Sequence, residues 1–298
     1  MNKVHFLFYA VLMSFILGLT TSLRAQSISQ TINGFSHPES VVATGDYLYV
    51  SNIGVEMQAT AKDGDGFISK INKKTGAIEQ LHFLPTKEDT LNAPKGLVIV
   101  NNTLYTADVD RVVGFDLTNR KEVFSITIPE TSFLNDIAVK DDQTLFVSAT
   151  DIGKIARVDI DSHSYRFLQI PTVTGANGLT FSTNMSQLYC VGFGSENKPN
   201  GNITSITLNP LTPEIMNSYQ GYLDGAAYYE GKLYFSDWKS FDREGVINTF
   251  DPASGTLAPL NLERAIGGPA DFYLDPSTRN LYLPAMLENK LITIKLKH

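Results

Sequence analysis

The stretch Asp224-Gly225-Ala226-Ala227-Tyr228-Tyr229-Glu230-Gly231-Lys232-Leu233-Tyr234-Phe235-Ser236 decides the fold. Residues 225–229 form a short β-prone run, Glu230-Gly231 a tight turn, and residues 232–236 a second run. Residues 245–250 read as a third strand. Asp251-Pro252-Ala253-Ser254-Gly255 has turn chemistry, and residues 256–260 make a weaker fourth strand whose Pro259 suits an outer edge. Four short antiparallel strands in sequence are one blade of a β-propeller.

The unit repeats outward from this stretch. A Leu followed by an aromatic recurs at Leu48-Tyr49, Leu104-Tyr105, Leu145-Phe146, Leu188-Tyr189, Leu233-Tyr234 and Leu281-Tyr282. The spacing, 41 to 56 residues, is that of propeller blades or solenoids. Third strands are expected at residues 66–71, 112–117, 154–159, 202–208 and 291–296. The last unit stops after three strands, and the strand-like residues 27–32 precede the first unit. This predicts an all-β, six-bladed propeller in which the N-terminal strand completes the last blade and closes the ring, removing an open edge. Insertions at residues 54–66 and 192–201 follow second strands and are expected to shape one mouth of the channel.

The domain boundaries follow from the N-terminus. Lys3, an apolar run over residues 4–19 and a small, polar stretch ending at Ala25 read as a signal peptide over residues 1–25. The propeller would span residues 26–298. The expected protein is exported, periplasmic or secreted, with no membrane attachment once the leader is removed. The net charge of −7 and the lack of a basic block argue against nucleic-acid binding. Cys190 is the single cysteine, so no internal disulfide forms; its alternating surroundings make it a core residue.

Ten to twelve residues before each aromatic stands a two-residue signature: Glu39-Ser40, Lys95-Gly96, Asn135-Asp136, Asn177-Gly178, Asp224-Gly225 and Ala270-Asp271. Innermost strands converge on the propeller axis, so the first members form a ring. Four of them, Glu39, Asn135, Asn177 and Asp224, offer oxygen, and no His or Cys is among them. This hard donor set suits Ca²⁺ best, with Mg²⁺ or Mn²⁺ as alternatives. Polar plugs or turn caps would be the bland reading of any one of them. Glycine at the second position lets neighbouring backbones approach closely. Asp108 and Asp237 follow second strands on the same face and are candidates to buttress the site, with Trp238 at its mouth. Asp63-Gly64-Asp65-Gly66 reads as a turn, and Gly192-Phe193-Gly194-Ser195 lacks the spacing of a nucleophile elbow.

The repeat, with Glu39, Asn135-Asp136, Asn177-Gly178 and Asp224-Gly225 in this order, resembles the senescence marker protein/gluconolactonase/luciferin-regenerating enzyme family, kin of paraoxonase and diisopropyl fluorophosphatase. The resemblance implies that Glu39, Asn135, Asn177 and Asp224 hold a catalytic divalent metal and that Asp224 is also base or nucleophile. The chain departs from the family at His37-Pro38-Glu39, at Lys95, where paraoxonases carry His, and at Phe133, where sugar lactonases carry Arg. An exported metal-dependent hydrolase acting on a lactone or ester is therefore expected, with Lys95 stabilising negative charge and Asp136, Asp271 and Phe133 contacting a small-molecule substrate. The competing expectation is a non-catalytic propeller with a structural metal and a ligand- or partner-binding surface.

Overall fold

A computed structural model describes residues 25–297. The leader expected over residues 1–25 lies, but for Ala25, outside them. The described chain folds into six four-stranded antiparallel sheets. The fifth blade contains Leu223–Tyr229, Lys232–Asp237, Val246–Asp251 and Thr256–Pro259, within a residue or two of the expected strands. Blades one to four are built on the inner strands Pro38–Thr44, Pro94–Val100, Leu134–Asp141 and Ala176–Phe181. The sixth sheet runs Tyr273–Asp275, Asn280–Ala285, Lys290–Lys295 and then Ile28–Asn33, the N-terminal strand. Ile32 pairs with Leu291 and Asn33 with Lys290, so the first and last parts of the propeller share one blade.

The Leu-aromatic pairs hold the blades against one another. All six Leu side chains are buried, at 0–1% exposure. The aromatic of one blade meets the inner strand of the next: Phe146 stands edge-on to Phe181 at 5.6 Å between centroids, and Tyr189 stacks on Tyr228 at 5.4 Å. The core is therefore a chain of interblade clusters. Tyr105, Val112, Ile137 and Leu145, for example, join blades two and three. Cys190 is buried in one such cluster, and burial pushes its thiol up to about 12, so it is inert packing.

A register break in the inner strands positions the site. Pairing shifts by a residue between Pro38 and Val41, Pro94 and Leu97, Leu134 and Ile137, Ala176 and Leu179, and Leu223 and Ala226. Each gap contains one signature dipeptide. In blade six Pro269 bridges Ala285 before regular pairing begins at Tyr273 with Tyr282, and Ala270-Asp271 falls in between. A bulge bends the strand and re-aims its side chains. The N–H groups it frees are taken up by serines three residues after the repeat Leu: Ser51 accepts from Ser40, Ser148 from Asp136 and Ser236 from Gly225.

The second-position glycines are required by the neighbouring blade. A Cβ on Gly178 would lie 2.1 Å from the Asp224 carbonyl oxygen, and one on Gly225 2.5 Å from the Asp271 Cα.

Candidate functional site

The bulges bring Glu39, Lys95, Asn135, Asn177 and Asp224 onto one cavity of about 160 Å³ at the end of the channel. Phe133, expected to contact substrate, lines it too. The rest of its wall is Ile53, Met57, Ala59, Phe193, Trp238, Phe241 and Met286. Met57 and Ala59 come from the first insertion and Phe193 from the second, so both insertions shape this mouth. Phe241 sits on a loop of blade five and Met286 on the 3-10 turn Met286–Glu288 of blade six; nothing in the sequence pattern singled them out.

The four oxygen-bearing ring residues are nearly sealed, with exposures of 2% for Glu39, 4% for Asn135, 2% for Asn177 and 3% for Asp224. Each keeps one buried oxygen without a hydrogen-bond partner: Glu39 Oε2, Asn135 Oδ1, Asn177 Oδ1 and Asp224 Oδ1. Buried polar atoms are paired in nearly all folded proteins, and an orphan acceptor costs roughly 1–3 kcal/mol. Four orphan acceptors on equivalent bulges fit a hard divalent cation such as Ca²⁺. The donor set is two carboxylates and two amides; among the described residues no three His, Cys, Asp or Glu side chains converge on a metal-sized site.

The electrostatics agree with that fit. Burial, followed by the charges of Asp224 and Asp271, holds the Glu39 carboxyl well above its usual range, and Lys95 opposes the shift. Burial and the Asp271 charge push Asp224 up to about 8, although the Trp238 hydrogen bond lowers it. A cation would relieve this strain by neutralising both carboxylates. Trp238 donates its indole N–H to Asp224 Oδ2 at 2.8 Å, which fixes the carboxylate and leaves Oδ1 as the orphan.

Lys95 is fully buried and donates Nζ–H to the Ala93 carbonyl at 2.7 Å. Its ammonium lies 5.3 Å from the Phe133 ring centroid. Burial lowers its pKa to about 8 against the raising pull of Glu39 and Asp108. Asp108 buttresses this arrangement, because its Oδ1 accepts the N–H groups of Asn92 at 2.9 Å and Ala93 at 2.8 Å, holding the turn whose carbonyl takes Lys95. Asp237 is the counterpart in blade five; it accepts from the Tyr219 hydroxyl at 2.7 Å and from the Lys239 N–H at 2.8 Å.

Asp136 and Asp271, expected to contact substrate, are not on this cavity. They line a separate one of about 330 Å³ with Leu97, Ile99, Ile137, Val139 and Tyr273. There they tie blades together. Asp136 accepts the N–H groups of Ile137 and, from the next blade, Leu179, both at 2.6 Å. Asp271 accepts the Ser40 hydroxyl at 2.5 Å, and Ser40 Oγ in turn accepts the Leu97 N–H at 3.2 Å. Neighbouring residues on a strand point to opposite sides, so one position of offset separates the two cavities.

No family model matches the chain, and no curated protein matches its sequence. Solved structures do. A catalytically inactive virginiamycin B lyase from Staphylococcus aureus, with quinupristin, is similar at 17% identity over 90% of this chain and 99% of that one, with a TM-score of 0.58. A streptogramin B lyase is similar at 14% identity over 90% and 97%, TM-score 0.60. The Cps50 (Swd1) β-propeller domain of Myceliophteria thermophila is similar at 11% identity over 91% and 100%, TM-score 0.58. These neighbours include enzymes and a propeller of another kind; at such identities the likeness shows the fold alone.

Proposed function

We propose that this chain is an exported, calcium-dependent hydrolase that cleaves a small apolar ester or lactone at the mouth of the channel. The observation that carries this reading is the set of four orphan oxygens, on Glu39, Asn135, Asn177 and Asp224, around one cavity. The resemblance to the gluconolactonase-type family supports it, since the same four positions correspond to that family's metal ligands. Export rests on the sequence of residues 1–25 alone.

When bound by these four residues, Ca²⁺ would supply Lewis-acid polarisation of the substrate carbonyl. Asp224 is the base that takes a proton from the attacking water, or the nucleophile itself. Trp238 locks its orientation through Oδ2. Lys95, held by the Ala93 carbonyl, places positive charge beside the negative charge that develops on the carbonyl oxygen. Phe133, Phe193, Phe241 and Met286 exclude water and accept the apolar part of the substrate. A sugar lactone fits this wall poorly, because it offers few polar partners besides Lys95 and the ring.

A second reading is favoured by one observation, the near-complete burial of the four oxygen donors. In it the cation is a structural staple and the propeller is not catalytic. An ester and lactone panel with and without chelator separates the two. Chelator-sensitive turnover that disappears in Asp224→Asn supports the hydrolase. A fall in melting temperature on chelation with no turnover of any substrate supports the staple.

A further inference from the structure

We propose that the groove between blades three and four binds a small amphiphilic anion, an oxyanion carried on an apolar body. The groove has a volume of about 510 Å³ and shares no residue with the channel cavity. Arg157, on Lys154–Asp159, and Arg166, on Ser164–Phe167, are direct cross-strand partners and both line it. Like charges placed opposite each other on neighbouring strands are destabilising. An arrangement of this kind is eased when an anion lies between the two guanidinium groups.

Among the described residues neither arginine forms an ion pair, although Asp159, lowered chiefly by its Ser162 hydrogen bonds, is lowered further by the Arg157 charge. Arg157 reaches only the Thr144 hydroxyl, at 3.5 Å, and Arg166 makes no hydrogen bond or ion pair among the described residues. The carboxylates nearby, Asp141 on the groove wall and Asp159 beside Arg157 and Arg166, each have one oxygen engaged elsewhere. Asp141 Oδ1 accepts the Gln143 N–H, and Asp159 Oδ1 accepts both the N–H and the hydroxyl of Ser162. The third cation of the groove, Lys140, is committed to the Met185 carbonyl and stands over the Phe181 ring at 5.2 Å. Two forked, planar donors thus stand with most of their N–H groups unpaired, Arg157 making one long bond to Thr144, beside apolar surface from Phe146, Phe167, Leu208 and Leu211. Guanidinium forks bind carboxylate and related oxyanions in a two-pronged manner, and the adjoining apolar surface selects for a hydrocarbon body. The occupant is therefore a compact arylalkyl or alkyl carboxylate, sulfonate or sulfate; a bare inorganic anion would leave the hydrocarbon wall unused.

The test uses the whole chain, with 4-phenylbutyrate as probe and neutral 4-phenylbutanamide as its control, by titration calorimetry at low salt. We expect saturable binding of the carboxylate and binding of the amide weaker by about tenfold or more, the worth of a charge-assisted pair. Arg157→Gln/Arg166→Gln should weaken the carboxylate by a similar factor, whereas Phe241→Ala, at the channel mouth, should leave its affinity unchanged. Unliganded Arg166→Gln should melt no lower than the wild type, because it loses only a like-charge neighbour. Equal affinity in wild type and double variant, sensitivity to Phe241→Ala instead, or absence of saturable binding would each overturn the assignment. A lower melting temperature of unliganded Arg166→Gln would also overturn it, by showing that Arg166 serves the fold.

Discussion

Trp238 and Asp224 form a single unit: the indole N–H meets Asp224 Oδ2 at 2.8 Å, while the indole ring packs edge-on to Phe193 at 5.5 Å between centroids. One side chain thus connects the aromatic mouth to the carboxylate at the centre of the ring. Because Trp238 is the only tryptophan, the connection is also directly observable.

Trp238→Phe keeps an aromatic ring, though a smaller one, and removes the donor. Asp224 Oδ2 then becomes a buried acceptor without a partner, which costs on the order of 1–3 kcal/mol. We expect a lower melting temperature and, if Asp224 is the base, a fall in kcat of about ten- to a hundredfold with KM little changed. In the wild-type protein, cation titration should change the tryptophan emission; a silent titration would count against a cation at Asp224.

Calcium should stabilise the folded chain by mass action, by about 2.7 kcal/mol at a concentration 100 times Kd. Asp224→Asn, which removes one of the two carboxylates, should abolish most of that gain. Thermal melts of both proteins with and without chelator make the comparison. A wild-type melting temperature indifferent to chelator and to added Ca²⁺ would remove the cation from the site.

Gly178→Ala should be among the costlier small substitutions in the chain. Its Cβ would meet the Asp224 carbonyl oxygen at 2.1 Å, where the contact is backbone and no flexible side chain can yield. Overpacking of this kind costs about 1–3 kcal/mol or more, and here it also displaces the residue before Gly225. Urea denaturation should show a lower midpoint, and cation affinity should fall with it.

The acid limb of stability should depend on Glu288. Burial raises its carboxyl, but hydrogen bonds from Arg264 and the Gly267 N–H, together with the Arg264 and Lys290 charges, hold it below the usual carboxylate range. A carboxyl depressed in the folded state contributes stability above its unfolded pKa and loses it as pH falls through the lower, folded value. Glu288→Gln should therefore destabilise the protein at neutral pH and flatten the decline below about pH 4.3, the ordinary Glu value. Arg264 remains partly exposed, so the effect will be modest. Parallel curves for the two proteins would show that the pair contributes nothing.

The sequence alone determined the architecture because the blade is a local motif repeated six times. The Leu-aromatic pairs mark the second strand of each blade, all six Leu are buried, and the expected pairing of the N-terminal strand with the last blade is present. It also brought Glu39, Asn135, Asn177 and Asp224 to one cavity, because equivalent positions in a closed ring converge on its axis. Other parts of the site depended on tertiary structure. The break in inner-strand pairing at the signature dipeptides sends Asn135 and Asp136 toward different cavities, and Asp136 and Asp271 became interblade ties. The serines that take up the bulge N–H groups stood in the sequence three residues after Leu48, Leu145 and Leu233, yet only the pairing gave them meaning. Met57 and Phe241 reach the cavity from loops and Met286 from a short 3-10 turn, where no repeat constrains side-chain direction. Repetition makes strand register readable in one dimension; loop paths and the one-residue slips of a bulge are set by packing between blades, which exists only once the ring has closed.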